Sequence, residues 1–286
     1  MEFWWLSLSV LIVAVALIIA AFLLRNNRKL SVQVLFGLSL FLLVFKTVEF
    51  ASYRGAGKAL YPVEFSHLSY FILGATMVTG VKKMRPFAGL CAFISGLAYL
   101  LATTAAPSSV YNDAYSIYFM IVSITQHLLL LFSGLLLLFA FDRYSIKDIW
   151  ISILGVIAIF VFSALVYNRI IYKDFANRDA MVIIYILTGT ILKYVLPTGF
   201  VIPIWLRVVT IIVMMAILIG AFAAYYLVNN KIFDKREKNG NALKDTDYEL
   251  GIIPLVKYFI DKKKNNEQPP LHDAQNAVGK EEQAEQ

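Results

Sequence analysis

Charged residues and cysteine are scarce in this chain. Only 16% of its 286 residues are Asp, Glu, Lys or Arg, whereas a soluble domain carries about 25%, and 59% are apolar. This composition excludes an ordinary water-soluble fold and a disordered chain. The single cysteine, Cys91, excludes an intrachain disulfide and a CxxC-type zinc or redox site. Walker, dinucleotide-binding, HExxH and GxSxG motifs are absent, and we expect neither a metal nor a cofactor.

The formal net charge of +7 does not indicate a nucleic-acid binder. Residues 1–228 hold 16 basic and 8 acidic side chains, whereas residues 229–286 hold 10 and 11. The basic excess therefore belongs to the apolar part and falls mostly between apolar runs, as the loop charges of a membrane protein do. We expect membrane lipids as partners, a lipid or small molecule as substrate, and no nucleic acid. The sequence does not indicate an oligomeric state.

Seven apolar runs are long enough to cross a bilayer, which takes about 20 residues. They are 4–24, 31–52, 61–81, 86–104, 116–141, 148–167 and 203–228. The short loops carry eight basic residues on one side and five on the other, so the positive-inside rule places the N-terminus outside and the C-terminus in the cytoplasm. The sequence therefore predicts an all-α, polytopic bundle of about seven transmembrane helices in the cytoplasmic (cell) membrane.

Three segments qualify this topology. Residues 181–196 are apolar but contain a glycine and a lysine and precede a proline, so a re-entrant or interfacial piece is preferred over an eighth span. The transmembrane domain is then 1–228, and 229–286 forms a mostly disordered cytoplasmic tail. Within the tail, the apolar stretch 251–264 either lies in the membrane interface, held by apolar residues and lysines, or is a chance apolar patch.

A few ionisable or strongly polar side chains lie inside the predicted spans, where a charge costs about 3 kcal/mol or more and usually finds a partner. They are Lys46 and Glu49 on the second span, Glu64 and His67 on the third, Gln126 and His127 on the fifth, and Arg207 near the start of the last. Because neighbouring spans run in opposite directions, these residues reach similar depths. The sequence predicts one polar cavity in the outer half, among the second, third, fifth and conceivably the seventh spans.

Each of these residues also has a purely structural interpretation. Lys46 could form a buried ion pair that fixes helix register, either with Glu49, which is three residues away on the same helix face, or with Glu64. Ser66 could bond back to a backbone carbonyl, as helix serines do. On an ideal helix Ser66 lies about 100° from His67 and about 160° from Glu64, so all three face one point only if the helix start is distorted. His127 lies mid-span, where an imidazole needs a partner, and this favours a functional role.

The start of the third span and the later histidine resemble a known family. Tyr-Pro-Val-Glu-Phe-Ser at 61–66 is similar to the Leu-Pro-Leu-(His/Gln)-Leu-Cys motif of YwaF-like bacterial integral membrane proteins, whose eukaryotic relatives include an ether-phospholipid acyltransferase. The resemblance implies acyl transfer, with Ser66 at the cysteine position as nucleophile, His127 as its base and Glu64 at the His/Gln position. Serine needs an aligned base. The replacement therefore either preserves the chemistry as a Ser–His pair or marks a member that has lost it.

Two classes of function follow as hypotheses. As a lipid acyltransferase or ester hydrolase, the protein would admit a lipid between its helices, with Lys46 or Gln126 stabilising the oxyanion and Glu64 or Glu49 orienting a histidine. The alternative is a non-enzymatic sensor, receptor, or small-solute or proton transporter built around the Lys–Glu–His cluster, in which His67 also belongs. An enzyme requires Ser66 to contact His127, whereas a transporter requires a polar path to the cytoplasmic side.

Overall fold

The computed structural model describes residues 4–55, 61–105, 117–171, 186, 192, 201–239 and 249–267, and this part of the chain is helical without strands. It contains α1 (Trp4–Leu24), α2 (Arg28–Gly55), α3 (Phe65–Thr79), α4 (Arg85–Ala105), α5 (Ile117–Ala140), α6 (Ile146–Tyr167), α7 (Ile204–Lys238) and α8 (Ile252–Glu267). A 3-10 turn, Lys82–Met84, precedes α4. The predicted all-α polytopic bundle is confirmed.

Six helices of the described chain, α1, α2, α4, α5, α6 and α7, are long and apolar enough to cross a membrane. The outer helices bury little of their apolar windows, 22% in α1 and 17% in α7, whereas α5 buries 67%. Side chains such as Ile12 and Ile212 are therefore exposed on the outside of the bundle. Such a surface is stable only in an apolar solvent, so α5 is the central helix and the others face lipid.

The third predicted span, 61–81, differs from expectation because only 15 of its residues form α3. Residues 61–64 are not helical, and the carbonyl of Val63 accepts a hydrogen bond from Ser163 of α6 at 3.0 Å. At the other end Gly80 adopts φ 78° and donates its N–H to the Thr76 carbonyl, which ends the helix. α3 is thus too short to span by itself and packs between α2 and α4.

Successive helices run antiparallel. The Gly74 Cα faces Leu43 across α2 and α3, Ser69 meets Ser95 across α3 and α4, and Gly96 meets Leu131 across α4 and α5. One end of the bundle therefore collects the α1–α2, α3–α4 and α5–α6 connections and the C-terminal part of α7. We call this the basic end, because it carries Arg25, Arg28, Lys82, Arg85, Arg143 and Lys235.

Glycines bring the backbones of α4 and α5 into contact. A Cβ added to Gly96 would lie 2.5 Å from the Leu131 nitrogen, and one added to Gly134 would lie 2.6 Å from the Phe93 nitrogen. No side chain rotation relieves an overlap with backbone atoms. Close helix packing at a small residue is therefore present at Gly96, the last residue of the stretch GLCAFISG.

A cluster of charges around the buried Arg28, Arg85 and Glu249 joins four segments at the basic end. Arg85 donates to Glu249 at 2.6 Å and to Asp142 at 2.9 Å, and Arg28 contacts the same two carboxylates at 3.1 and 3.3 Å. Lys82 lies 3.0 Å from Glu249. Both guanidinium side chains are 2% exposed. Since a buried charge without a partner is strongly destabilising, each arginine depends on both acids.

Glu249 belongs to the segment for which the sequence predicted mostly disorder. α7 continues ten residues beyond the predicted boundary at 228, to Lys238, and α8 covers most of 251–264. Gly251 adopts φ 136° and packs against Gly80, so that residues 249–251 lie on the bundle. The apolar side chains of α8 are exposed, and its interfacial location stays a prediction. Residues 240–248 and 268–286 lie outside the described part.

We predict that Gly134→Val lowers the thermal stability of the detergent-solubilised protein by several degrees. The added side chain overlaps the Phe93 backbone, and overpacking of this kind costs about 1–3 kcal/mol. Gly37→Val is the matched control, because a Cβ there meets no atom within 4 Å. Equal melting temperatures for the two variants would contradict the proposed close contact of α4 and α5.

We predict that Glu249→Gln destabilises the docking of 249–251 by about 3 kcal/mol, because it leaves two buried arginines to share Asp142. Proteolysis between α7 and α8 and the melting temperature measure the effect. Glu237→Gln is the control, since Glu237 is an exposed partner of Arg143 at 3.3 Å and its loss costs less than about 1 kcal/mol.

The same contact has a pH dependence of known sign. Burial raises the pKa of Glu249, but the hydrogen bonds and charges of Arg85 and Lys82 outweigh it, so the pKa lies below its ordinary 4.5. A lowered carboxyl pKa contributes stability that is present above pH 4.5 and is lost as the pH falls through the lowered pKa. Protease sensitivity that rises on acidification in the unmodified chain but not in Glu249→Gln meets this expectation.

Candidate functional site

A cavity of about 410 Å³ opens in the half of the bundle opposite the basic end. Its wall is mostly apolar and comes from α3 to α7, with Phe65, Ile94, Phe160, Met214, Ile217 and Leu218 among the lining residues. Ile217 is also 57% exposed on the outer surface of α7, so the cavity reaches the apolar face of the bundle. Five polar residues line it: Glu64, Ser66, Ser95, Tyr99 and His127. An apolar pocket with a few polar groups is typical of a site for an amphiphilic ligand.

The late start of α3 brings two of these polar residues to the cavity. Glu64 caps the helix in an extended conformation (φ −69°, ψ 146°), and Ser66 follows in the first turn. Both line the cavity, which an ideal helix over 61–81 would not allow. His67 lies on the other side of α3, edge-on to Phe50 with ring centroids 5.1 Å apart. The start of the third span thus departs from an ideal helix, and this departure allows Glu64 and Ser66 to line the same cavity.

His127 is held in one orientation by its neighbours. Its Nδ1 lies 2.8 Å from the Ser123 carbonyl oxygen, and its ring stacks on Tyr99 with centroids 3.8 Å apart and an angle of 8°. The Tyr99 hydroxyl donates to Ser123 Oγ at 2.8 Å. Because a carbonyl only accepts, Nδ1 carries the proton, and Nε2 of the neutral ring is the basic nitrogen. This is the tautomer that a general base uses.

Ser66 and His127 share the cavity without a hydrogen bond between them. Within the described residues the His127 ring bonds only to Ser123, and Ser66 Oγ makes no hydrogen bond, so back-bonding to the Pro62 carbonyl is also absent. The two residues therefore line one space from opposite helices.

The remaining predicted residues form a separate group on the α2 side of α3. Lys46 is 6% exposed and donates to Glu49 at 2.6 Å, so the predicted ion pair is confirmed. The Lys46 ammonium also lies 4.8 Å from the centre of the Tyr70 ring. The buried Tyr70 stands between this pair and His127, with centroids of the two rings 5.9 Å apart. Neither Lys46 nor Glu49 lines the cavity.

The prediction of one polar cavity is therefore wrong in one respect: the polar residues fall on two sides of α3. Lys46 and Gln126 do not line the cavity and are not placed to stabilise an oxyanion there. Gln126 is 4% exposed and its Nε2 makes no hydrogen bond within the described chain. Arg207 is exposed on α7, as an interfacial anchor would be. Residues 181–196, apart from 186 and 192, lie outside the described part, and Ile186 lines the cavity.

Sequence reasoning missed Ser95 and Tyr99. They are four residues apart on one face of α4, and Ser95 Oγ lies 2.7 Å from Ser69 Oγ of α3. The sequence signal for them is His127, because an imidazole in the middle of a span needs an aromatic or hydroxyl side chain as a neighbour. Within the described residues, no group of three His, Cys, Asp or Glu side chains could hold a metal ion.

The chain matches no family model, no curated protein and no solved structure. Its function therefore has to be argued from its own residues.

We predict that Glu49→Gln destabilises the protein by about 3–5 kcal/mol, because it leaves the buried Lys46 ammonium with only the Tyr70 ring as partner. The double variant Lys46→Met/Glu49→Gln removes both charges and should recover most of this loss. Thermal unfolding in one detergent measures both variants. A double variant as unstable as the single one would contradict a purely electrostatic role for the pair.

Proposed function

We propose that this multi-pass membrane protein of the cell membrane binds the acyl portion of a lipid in the cavity and transfers the acyl group through Ser66 and His127. The observation that carries the proposal is that Ser66 and His127, from α3 and α5, line one apolar cavity that reaches the outer surface of the bundle. The cavity volume and apolar wall suit part of an acyl chain that enters from the bilayer. The resemblance of residues 61–66 to the YwaF-like motif favours the same chemistry.

The proposed reaction starts with Ser66 Oγ attacking the acyl carbonyl carbon of a lipid ester. The Ser66 proton passes to Nε2 of His127, while the Ser123 carbonyl holds the Nδ1–H. The bond between the acyl carbon and the alcohol oxygen then breaks, and the leaving alcohol takes the proton from Nε2. Water or an acceptor alcohol releases the acyl group from Ser66 by the same path in reverse. Glu64 lines the same cavity.

A second candidate function is binding without chemistry, as in a sensor or receptor for an apolar ligand. The absence of a Ser66–His127 hydrogen bond favours it, because a serine nucleophile needs an aligned base. A channel or transporter is less well supported. Fully buried apolar side chains, including Leu73, Met77, Leu90 and Leu136, fill the core between the cavity and the basic end.

Covalent capture tests the acyl-transfer proposal. The purified protein in lipid nanodiscs is treated with a serine-directed fluorophosphonate and, separately, with a phospholipid, and the intact mass and the modified residue are determined. We expect an adduct on Ser66 that is lost in Ser66→Ala and reduced at least tenfold in His127→Gln. Ser66→Cys should retain acyl capture, because a thiol is the stronger nucleophile.

Ser133→Ala is the matched control, since Ser133 is a buried serine on α5 away from the cavity. Unchanged melting temperatures would show that the variants fold. Labelling that persists in Ser66→Ala would refute Ser66 as nucleophile. Stabilisation by a fatty acid without any adduct on Ser66 would favour the binding function instead.

A further inference from the structure

A second cavity, of about 380 Å³, lies at the basic end between α1 and α7. Four cationic side chains line it: Arg25, Lys231, Lys235 and Arg236. Among the described residues no carboxylate lines it. The cavity is far along the bundle from Ser66 and His127 and plays no part in acyl transfer.

The end of α7 separates its acids from these cations. Asp234 and Glu237 pair with Arg143, in the connection between α5 and α6, at 2.6 and 3.3 Å. Lys231 and Lys235 are four residues apart on another face and make no ion pair within the described residues. The acids of α7 are thus occupied by Arg143, and the positive charge of the cavity is not neutralised by its own helix.

Arg236 has a buried hydrogen-bond donor that is not used within the described residues. The residue is 9% exposed, and its Nη2 donates to the Arg25 carbonyl at 2.9 Å. Its Nη1 is buried and has no hydrogen-bond partner within the described residues. The Arg25 guanidinium lies over the Phe22 ring, 3.4 Å from its centre, and lines the same cavity. A bound anion would stabilise this buried guanidinium, which lies beside a second cation and has no carboxylate partner within the described residues.

The cavity changes from apolar to basic along the bundle axis. Phe22 and Val228 line its part toward the membrane interior, Lys231 and Ile232 follow in the middle, and Arg25, Lys235 and Arg236 line the part toward the basic end. At about 1.5 Å per residue, residues 228 to 236 of α7 span roughly 12 Å. A phospholipid has the same arrangement over a similar length, with apolar acyl chains next to a charged phosphate. A free phosphate would contact only the basic part of the cavity and leave the apolar wall without a partner.

We propose that this cavity binds an anionic glycerophospholipid, with its phosphate on Arg236, Arg25 and Lys235 and its acyl chains along Phe22, Val228 and Ile232. By the positive-inside rule the lipid comes from the cytoplasmic leaflet, where anionic headgroups attract juxtamembrane Lys and Arg. The bound lipid would contact both α1 and α7. Without it, the described residues of these two segments are linked at this end by the hydrogen bond from Arg236 to the Arg25 carbonyl.

Binding of defined lipids to the full-length protein in detergent tests this site. Native mass spectrometry and thermal shift are measured with phosphatidylglycerol, with phosphatidylcholine and with inorganic phosphate. We expect phosphatidylglycerol to bind and to raise the melting temperature more than the other two. Lys235→Gln should weaken it about fivefold, and Lys231→Gln/Lys235→Gln about 25-fold. Arg236→Gln should weaken it further.

Lys238→Gln is the matched control, because Lys238 is an exposed lysine of the same helix that does not line the cavity. It should bind phosphatidylglycerol as the unmodified chain does. The lysine variants keep the test valid if Arg236→Gln does not fold. Equal binding of the two lipids, or equal losses in Lys235→Gln and Lys238→Gln, would refute the site. Stabilisation by inorganic phosphate that phosphatidylglycerol does not exceed would refute the lipid assignment.

Discussion

Arg28 and Arg85 are buried at the basic end of the bundle, and much of the structure there follows from the need to neutralise them. Their two carboxylate partners come from distant parts of the chain: Asp142 from the connection between α5 and α6, and Glu249 from beyond α7. Because removal of one acid leaves a buried charge without a partner, the cluster links the packing of α2, α4 and α5 to the position of the C-terminal segment. At this end of the bundle, ion pairs therefore hold the helices and the C-terminal segment together. Apolar contacts contribute little to the association of helices in lipid.

The short third helix governs the opposite half. Because residues 61–64 are not helical and Val63 is bonded to Ser163 of α6, the chain places Glu64 and Ser66 in one cavity and turns His67 away from it. The same helix forms the wall between the cavity and the Lys46–Glu49 pair. The Ser123 carbonyl and the Tyr99 ring then orient His127 from within α4 and α5. The cavity is therefore organised by a break in helical structure and by an aromatic stack.

The two cavities lie at opposite ends of the bundle. The first is apolar with a serine and a histidine, and the second is lined by four cations above an apolar wall. Between them the core consists of tightly packed leucines and of the glycine contacts of α4 with α5. This core separates the two cavities.

The sequence by itself determined that the protein is an all-α bundle in a membrane, because apolar runs of about 20 residues are stable as helices in lipid. It also placed Lys46 and Glu49 on a shared helix face, because they are three residues apart, but the choice of Glu49 over Glu64 as the partner of Lys46 came from the structure. Only the tertiary structure decided which side of α3 each polar residue occupies, because the helix starts at Phe65 through a bond to Ser163 on α6. It likewise decided the pairing of Glu249 with Arg28 and Arg85 and the gathering of Arg25 with Arg236. These contacts join residues more than 150 positions apart, and the local sequence pattern of a helix or loop does not predict contacts over that separation.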